Sequence, residues 1–144
     1  MCFTGDYGDG FQVNFEQKER GRSCRDLACD ECFVGAGCWR PQRETLAAIR
    51  RAIDQDPAAW KKARDQKVFR KSFQLAGESL KTSPRDYPKD HPMIEDLRRI
   101  DFIGVAQLTP QDFIDSDAVQ RVAKQIRDAK PMMKFLCDAI DVPY

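Results

Sequence analysis

Three of the six cysteines have the spacing of metal ligands. Cys24, Cys29 and Cys32 form the pattern C-x4-C-x2-C, the spacing of three ligands of a plant-type iron–sulfur cluster, and zinc could use the same thiolates. The fourth ligand would have to be Cys38 or Cys137, but both fall on apolar faces, as small core residues do. The sequence has no second C-x2-C pair and no paired histidine. We therefore predict no metal and no cofactor, with a cysteine metal site as the alternative.

Positive charge is concentrated in residues 61–89, which contain nine basic and three acidic residues. The chain as a whole has a net charge of only +1, so it lacks the overall basicity of a dedicated DNA-binding domain. Trp60 directly precedes this basic run and Phe69 lies within it, and their helical spacing favours core packing over stacking on bases. We predict a weak, salt-sensitive affinity for a polyanion or nucleic acid, the alternative being a solvated helix face. The candidate contacts are Lys61, Lys62, Lys67 and Lys71.

A second candidate site surrounds residues 33–41, where a glycine-containing apolar strand leads directly into a proline. Gly35 and Gly37 could let a ligand approach the backbone, although they do not form a G-x-G-x-x-G fingerprint and strand glycines more often mark a bulge or tight packing. We expect a concave surface here that binds an anionic ligand. Its candidate residues are Trp39, Arg40, Lys81 and Arg85.

The single histidine, His91, could act as a general base. It stands between Asp90 and Pro92, where a helix is expected to restart, so a capping role is the preferred interpretation. With one histidine and no nucleophile in an elbow motif, the sequence does not predict a catalytic triad.

The elements that position these residues are mostly helical. The spacing of apolar residues predicts a helix over about 41–55, with Pro41 at its first helical position. Residues 56–57, Asp-Pro, predict the N-cap and first turn of a short helix that buries Trp60. Asp65 is expected to cap one more helical turn.

The second half of the chain alternates extended and helical segments. Residues 73–84 predict an irregular or extended strand, and residues 102–108 predict a buried strand. Thr-Pro at residues 109–110 is expected to open a turn or short helix. A last helix, capped by residue 116 or 117, should be kinked or split by Pro131. Its predicted apolar stripe is Val119, Val122, Ile126, Met133, Leu136 and Ile140.

The 144 residues are enough for one buried core, and 42 % hydrophobic with 33 % charged residues is typical of a folded domain. The fold class predicted is α+β, helix-rich with a few short strands, over residues 33–144. Residues 1–32 are interrupted by glycines and are expected to be poorly ordered or atypical. The sequence has no apolar run long enough to span a membrane and no signal peptide, which predicts a cytoplasmic protein with reduced cysteines and no membrane partner.

The chain from about residue 33 to residue 140 resembles the C-terminal two-thirds of domain of unknown function 2461, a family of conserved hypothetical proteins. The order and spacing of the segments match throughout, whereas between residues 11 and 32 only the alternation of Phe11, Val13 and Phe15 suggests a strand. The resemblance implies a fold but no activity, because the family has no assigned function. The segments that carry it are residues 33–41, 73–81, 91–92, 97–102 and 133–137.

The hallmark of that family is R-x-x-R-D-x-R-F, upstream of the glycine strand. Residues 22–26 match its first half by letter, but Leu27, Ala28 and Cys29 replace the remainder, and the spacing to Phe33 is too short. We interpret the match as coincidence and the chain as an N-terminally truncated version of a larger fold, or as a sequence altered near residues 16–32. The leading hypothesis is a binding or interaction module for an anionic partner. The alternative is a fragment of an enzyme whose catalytic residues lie in the missing segment.

Overall fold

The computed structural model describes residues 4–7, 11–17, 32–109 and 116–143. Most of the segment 1–32, predicted to be poorly ordered or atypical, lies outside these residues. So do Cys24 and Cys29 of the proposed metal motif, and Pro110 of the turn predicted at residues 109–110. Those expectations stay predictions.

Five antiparallel strands form one sheet in the described part of the chain, in the order β1-β2-β3-β5-β4. Phe102–Leu108 confirms the strand predicted there, and Phe11–Gln17 confirms the strand-like alternation near the N-terminus. The short strand at Gln74–Ala76 confirms the extended segment after residue 73. The strands are β1 Thr4–Tyr7, β2 Phe11–Gln17, β3 Cys32–Cys38, β4 Gln74–Ala76 and β5 Phe102–Leu108.

Six helices are present among the described residues, so the α+β class predicted from the sequence is confirmed. Asp56 caps the second helix as predicted, its Oδ1 accepting the backbone N–H of Ala59 at 2.9 Å. The last helix is split, as predicted from Pro131. The helices are α1 Arg43–Gln55, α2 Pro57–Arg64, α3 Lys67–Ser72, α4 Ile94–Leu97, α5 Ala118–Asp128 and α6 Lys130–Ala139.

Three local predictions were wrong in detail. Pro41 is not the first helical residue, because α1 starts at Arg43 with Gln42 as N-cap. The N-cap of α3 is Gln66 rather than Asp65, whose carboxylate is instead bonded to Arg64. Val119 is 79 % exposed, whereas the other five residues of the predicted stripe pack in or against the core.

The hydrophobic core lies between one face of the sheet and the helices. Val34, Ala36 and Cys38 of β3 are buried opposite Ala106, Gly104 and Phe102 of β5. This alternation places every second residue of each strand against the helices. The helical side of the core consists mainly of Ile49, Ile53, Trp60, Phe69, Leu97, Met132 and Leu136. Trp60 and Phe69 are thus core residues, as their spacing predicted. None of the helices in the described ranges is long and apolar enough to cross a membrane.

Candidate functional site

The candidate site is a groove along the edge strand β4. Two adjoining depressions of about 610 Å³ and about 660 Å³ share Arg70, Phe73, Gln74 and Leu75 in their walls. We call them together the β4 groove. Lys71 lines the first depression, and Arg64 and Arg99 line the second. The groove therefore combines apolar and amide side chains with several basic residues and one acidic residue, Asp65.

Local packing explains why the groove lies here. Helix α3 ends where the N–H of Phe73 donates to the carbonyl of Phe69 at 2.7 Å, and the two rings stack with centroids 5.4 Å apart. The Phe69 ring lies over Gly104, where an added Cβ would come within 2.8 Å of the ring and 3.4 Å of the Phe73 Cβ. The absence of a side chain at this position of β5 lets the Phe69 ring lie against the sheet, and the chain then turns directly into β4.

Arg64 is held rigidly at one end of the groove. Its guanidinium forms two hydrogen bonds with Asp65, of 3.0 and 2.8 Å, and a third of 2.6 Å with the buried Asp96. The hydrogen bonds raise the pKa of Arg64 and lower that of Asp65. The Nε atom of Arg99 lies 3.8 Å from the other oxygen of Asp96. The charges of these two arginines are therefore balanced by two carboxylates.

Arg70 and Lys71 differ from these arginines. Both are exposed on α3, and neither side chain forms a hydrogen bond or ion pair with another residue in the ranges that the structure covers. Arg70 still contributes to lowering the pKa of Asp65 through its charge. The uncompensated positive charge at the groove therefore comes mainly from these two side chains.

The four lysines predicted to contact a polyanion are all exposed, but only one of them lines the groove. Lys71 does so, whereas Lys61 and Lys62 of α2 and Lys67 at the start of α3 line neither depression. Arg70 was visible in the sequence as part of the same basic run. Selecting it required the position of β4, which depends on pairing with a strand about 30 residues further along the chain.

Trp39 and Arg40, two residues of the predicted concave surface, directly follow β3. Trp39 is 37 % exposed, and the Arg40 guanidinium carbon lies 5.7 Å from the centre of its ring. Arg40 has a φ of +49°, which is uncommon for a residue with a side chain. Its N–H donates to the buried carboxylate of Asp101 at 2.8 Å, and the N–H of Glu78 donates to the other oxygen at 2.9 Å.

Lys81 and Arg85, the other two residues of that surface, are exposed in the connection between β4 and α4. Arg98 fixes the start of this connection by donating to the backbone carbonyls of Leu80 at 2.8 Å and Lys81 at 2.7 Å. Neither depression of the β4 groove includes any of the four predicted residues. A ligand site formed by Trp39, Arg40, Lys81 and Arg85 stays a prediction.

We expect Asp101→Ala to lower the free energy of unfolding by about 2 kcal/mol, because it leaves the N–H groups of Arg40 and Glu78 without their acceptor. Asp101→Asn keeps one acceptor oxygen and should cost about half as much. Urea denaturation measures the loss, and the amide proton shifts of Arg40 and Glu78 report the two bonds separately. An Asp101→Ala variant as stable as the parent would contradict this role.

His91 has a structural role at the start of α4, although the N-cap of that helix is Met93 and not His91. Its Nδ1 accepts the N–H of Met93, the N-cap of α4, at 3.1 Å. The proton is then on Nε2, which donates to Asp54 at 3.0 Å and so ties this loop to α1. Because both ring nitrogens are engaged, the histidine is not placed to act as a general base.

The two cysteines whose side chains are described, Cys38 and Cys137, are free and buried, which confirms them as core residues. Burial raises the pKa of Cys38 to about 11, with smaller contributions from Asp101 and Cys137. Burial also raises the pKa of Cys137. Neither is a thiolate near neutral pH, so neither has the character of a reactive nucleophile. Within the described ranges, no three His, Cys, Asp or Glu side chains are placed to hold a metal ion.

Comparison with known proteins gives one result. The family model of a conserved hypothetical protein, DUF2461, matches residues 10–135. No curated protein and no solved structure matches the chain. The match begins upstream of the glycine strand and so includes β2, where the sequence showed only a faint resemblance. Since the match covers most of the chain, this protein belongs to the DUF2461 family.

Proposed function

We propose that this protein is a binding module for an anionic partner and that the partner binds in the β4 groove. The observation that carries the proposal is the pair Arg70 and Lys71, two exposed cations at the groove whose side chains form no ion pair with a carboxylate in the described part of the chain. Arginine at a groove can bind a carboxylate or phosphate with two parallel hydrogen bonds, and lysine adds a mobile point charge.

The balanced arginines support the same proposal in a different way. Arg64 is hydrogen-bonded to Asp96, and Arg99 forms a longer ion pair of 3.8 Å with it, so this end of the groove is held in place before a ligand arrives. Side chains that are already fixed lose little conformational entropy when a ligand binds. Arg70 and Lys71 then provide the attraction, while Gln74 offers an amide that can both donate and accept.

The surface of Trp39, Arg40, Lys81 and Arg85 is retained as the competing location for the same partner. An enzyme whose catalytic residues lie upstream is retained as the alternative function, and a cysteine metal site centred on Cys24, Cys29 and Cys32 as a further one. A cytoplasmic location is part of the proposal, and the two free, buried thiols Cys38 and Cys137 are in keeping with a reducing compartment.

The test is the affinity for heparin and for duplex DNA, measured by fluorescence anisotropy at several salt concentrations. We expect the double variant Arg70→Glu with Lys71→Glu to bind at least tenfold more weakly than the parent. The slope of log affinity against log salt for DNA should become shallower by about 0.9 for each phosphate that the variant no longer neutralises.

The matched control is Lys61→Glu with Lys62→Glu, which makes the same change in net charge on exposed residues outside the groove. A similar loss of affinity in this control would show a general charge effect and overturn the groove as the site. Loss of binding only in Arg40→Glu with Arg85→Glu would move the site to the competing surface. No measurable binding of heparin or DNA by the parent protein at low salt would remove nucleic acids and sulfated polysaccharides as the anionic partner.

A further inference from the structure

The strand at the centre of the groove has an unoccupied side. Among the described strands, β4 pairs only with β5, in the register Gln74 to Val105, Leu75 to Gly104 and Ala76 to Ile103. In an antiparallel pair, successive residues direct their N–H and C=O groups to opposite sides. At least one of the three β4 residues therefore directs its backbone donor and acceptor away from β5 and toward the groove side.

The edge of the sheet also has a step beside β4, because β5 extends three residues beyond the part that pairs with β4. Strand β5 continues through Ala106, Gln107 and Leu108, where only β3 pairs with it in the described part of the chain. The first depression of the groove is lined by Val105 and Gln107 together with Gln74. An extended chain approaching β4 would thus meet further strand surface at this step.

The side chains of β4 do not protect its edge. Edge strands are commonly protected from pairing by a lysine, a proline or an inward-pointing charge. Gln74, Leu75 and Ala76 contain none of these. The cations stand beside the strand instead, on α3 and at Arg64 and Arg99. This arrangement leaves the hydrogen-bonding edge accessible and surrounds it with positive charge.

We propose that the anionic partner is an extended peptide segment rich in Asp or Glu, which adds to the sheet as a strand along β4. This inference rests on the proposed function and names its partner class. Main-chain hydrogen bonds to an edge strand supply affinity in this mode of recognition, and side chains supply selectivity. The charge around the strand selects acidic side chains. A nucleic acid would satisfy the charges but has no alternating N–H and C=O groups to pair with β4.

The probes are three fluorescein-labelled ten-residue peptides that alternate Thr with Glu, Thr with Asp, and Thr with phosphoserine. The control for each has the same sequence with every interior peptide nitrogen methylated, which keeps the charges and removes the backbone donors. We expect the Glu peptide or the Asp peptide to bind with a dissociation constant below 1 mM and its methylated control to bind at least tenfold more weakly. Binding of the phosphoserine peptide alone would overturn Asp and Glu as the side chains that are recognised. The amide signals of residues 74–76 should shift on binding, and Arg70→Glu with Lys71→Glu should reduce the affinity at least tenfold.

The outcomes separate this inference from the proposed function. Equal binding of the methylated and parent peptides would overturn strand addition and leave an ionic groove. Binding of heparin or DNA in the groove without binding of any peptide would likewise overturn it and favour nucleic acid as the partner. Failure of all peptides and both polyanions to bind would overturn the inference together with the proposed function.

Discussion

Replacing Trp60 with alanine is expected to lower the free energy of unfolding by about 3 kcal/mol, the lower end of the range for large aromatic residues in a core. Trp60 is fully buried, and its ring packs against Phe102 and Phe135 at centroid distances of 5.7 and 5.2 Å. Its buried indole N–H has no hydrogen-bond partner in the described part of the chain. Removing an unpaired buried donor is favourable and offsets part of the stability lost with the ring. We therefore expect a loss of free energy of unfolding at the lower end of the range for aromatic residues.

The matched control is the other tryptophan of the chain. Trp39 is 37 % exposed, so Trp39→Ala should change the free energy of unfolding by less than about 1 kcal/mol. Urea denaturation followed by far-ultraviolet circular dichroism is the appropriate measurement, because each variant removes a fluorophore. Equal losses for the two variants would contradict the core assigned to α2 and β5.

The contrast between the two tryptophans also shows which parts of the fold local sequence can predict. Trp60 follows an Asp-Pro helix start, and Phe69 continues the helical spacing, so both could be placed in the core from neighbouring residues alone. The buried strand at residues 102–108 could also be predicted from neighbouring residues alone, since seven uncharged residues lie between Asp101 and the Thr-Pro pair. Patterns of this kind depend on a few adjacent positions.

The candidate site depends on contacts that no local pattern contains. Arg64 is anchored by Asp96, 32 residues away in the chain. The β4 groove exists because Gln74–Ala76 pairs with β5 while α3 ends at Ser72, with only Phe73 between the helix and the strand. The sequence therefore indicated a basic region, but it could not separate the two compensated arginines from Arg70 and Lys71. Only the pairing of charges in three dimensions makes that distinction.

The split of the last helix lies between these two cases, because local sequence predicted the interruption but not the burial of every residue beside it. Pro131 predicted the interruption, because a proline removes one backbone donor and blocks the preceding turn. It could not show where the buried stripe begins, since Val119 at the start of α5 is exposed whereas Val122 and Ile126 pack against the core. Met132, rather than Met133, became the fully buried methionine of α6.

Gly37→Ala is expected to be the most damaging small substitution in the sheet, lowering the free energy of unfolding by about 3 kcal/mol or more. Gly37 has a φ of +143°, which residues with a side chain rarely adopt. An added Cβ would meet the carbonyl oxygen of Phe102 at 2.1 Å and the Cα of Ile103 at 2.8 Å. Both atoms belong to the backbone of β5, which pairs with β3 at this point, so neither can yield without disturbing the central strand pair.

The same substitution is expected to disturb the loop after β3. Arg40 lies only three residues beyond Gly37, and its N–H donates a hydrogen bond to Asp101 that fixes this loop. The control is Gln107→Ala, an exposed substitution on β5 that should stay within about 0.5 kcal/mol of the parent. Urea denaturation compares the three proteins, and a Gly37→Ala chain that fails to show a cooperative transition counts as the expected loss. A Gly37→Ala protein with the stability of the parent would mean that β3 and β5 do not pair through Gly37 and Ile103, and the register of the central strands would then be wrong.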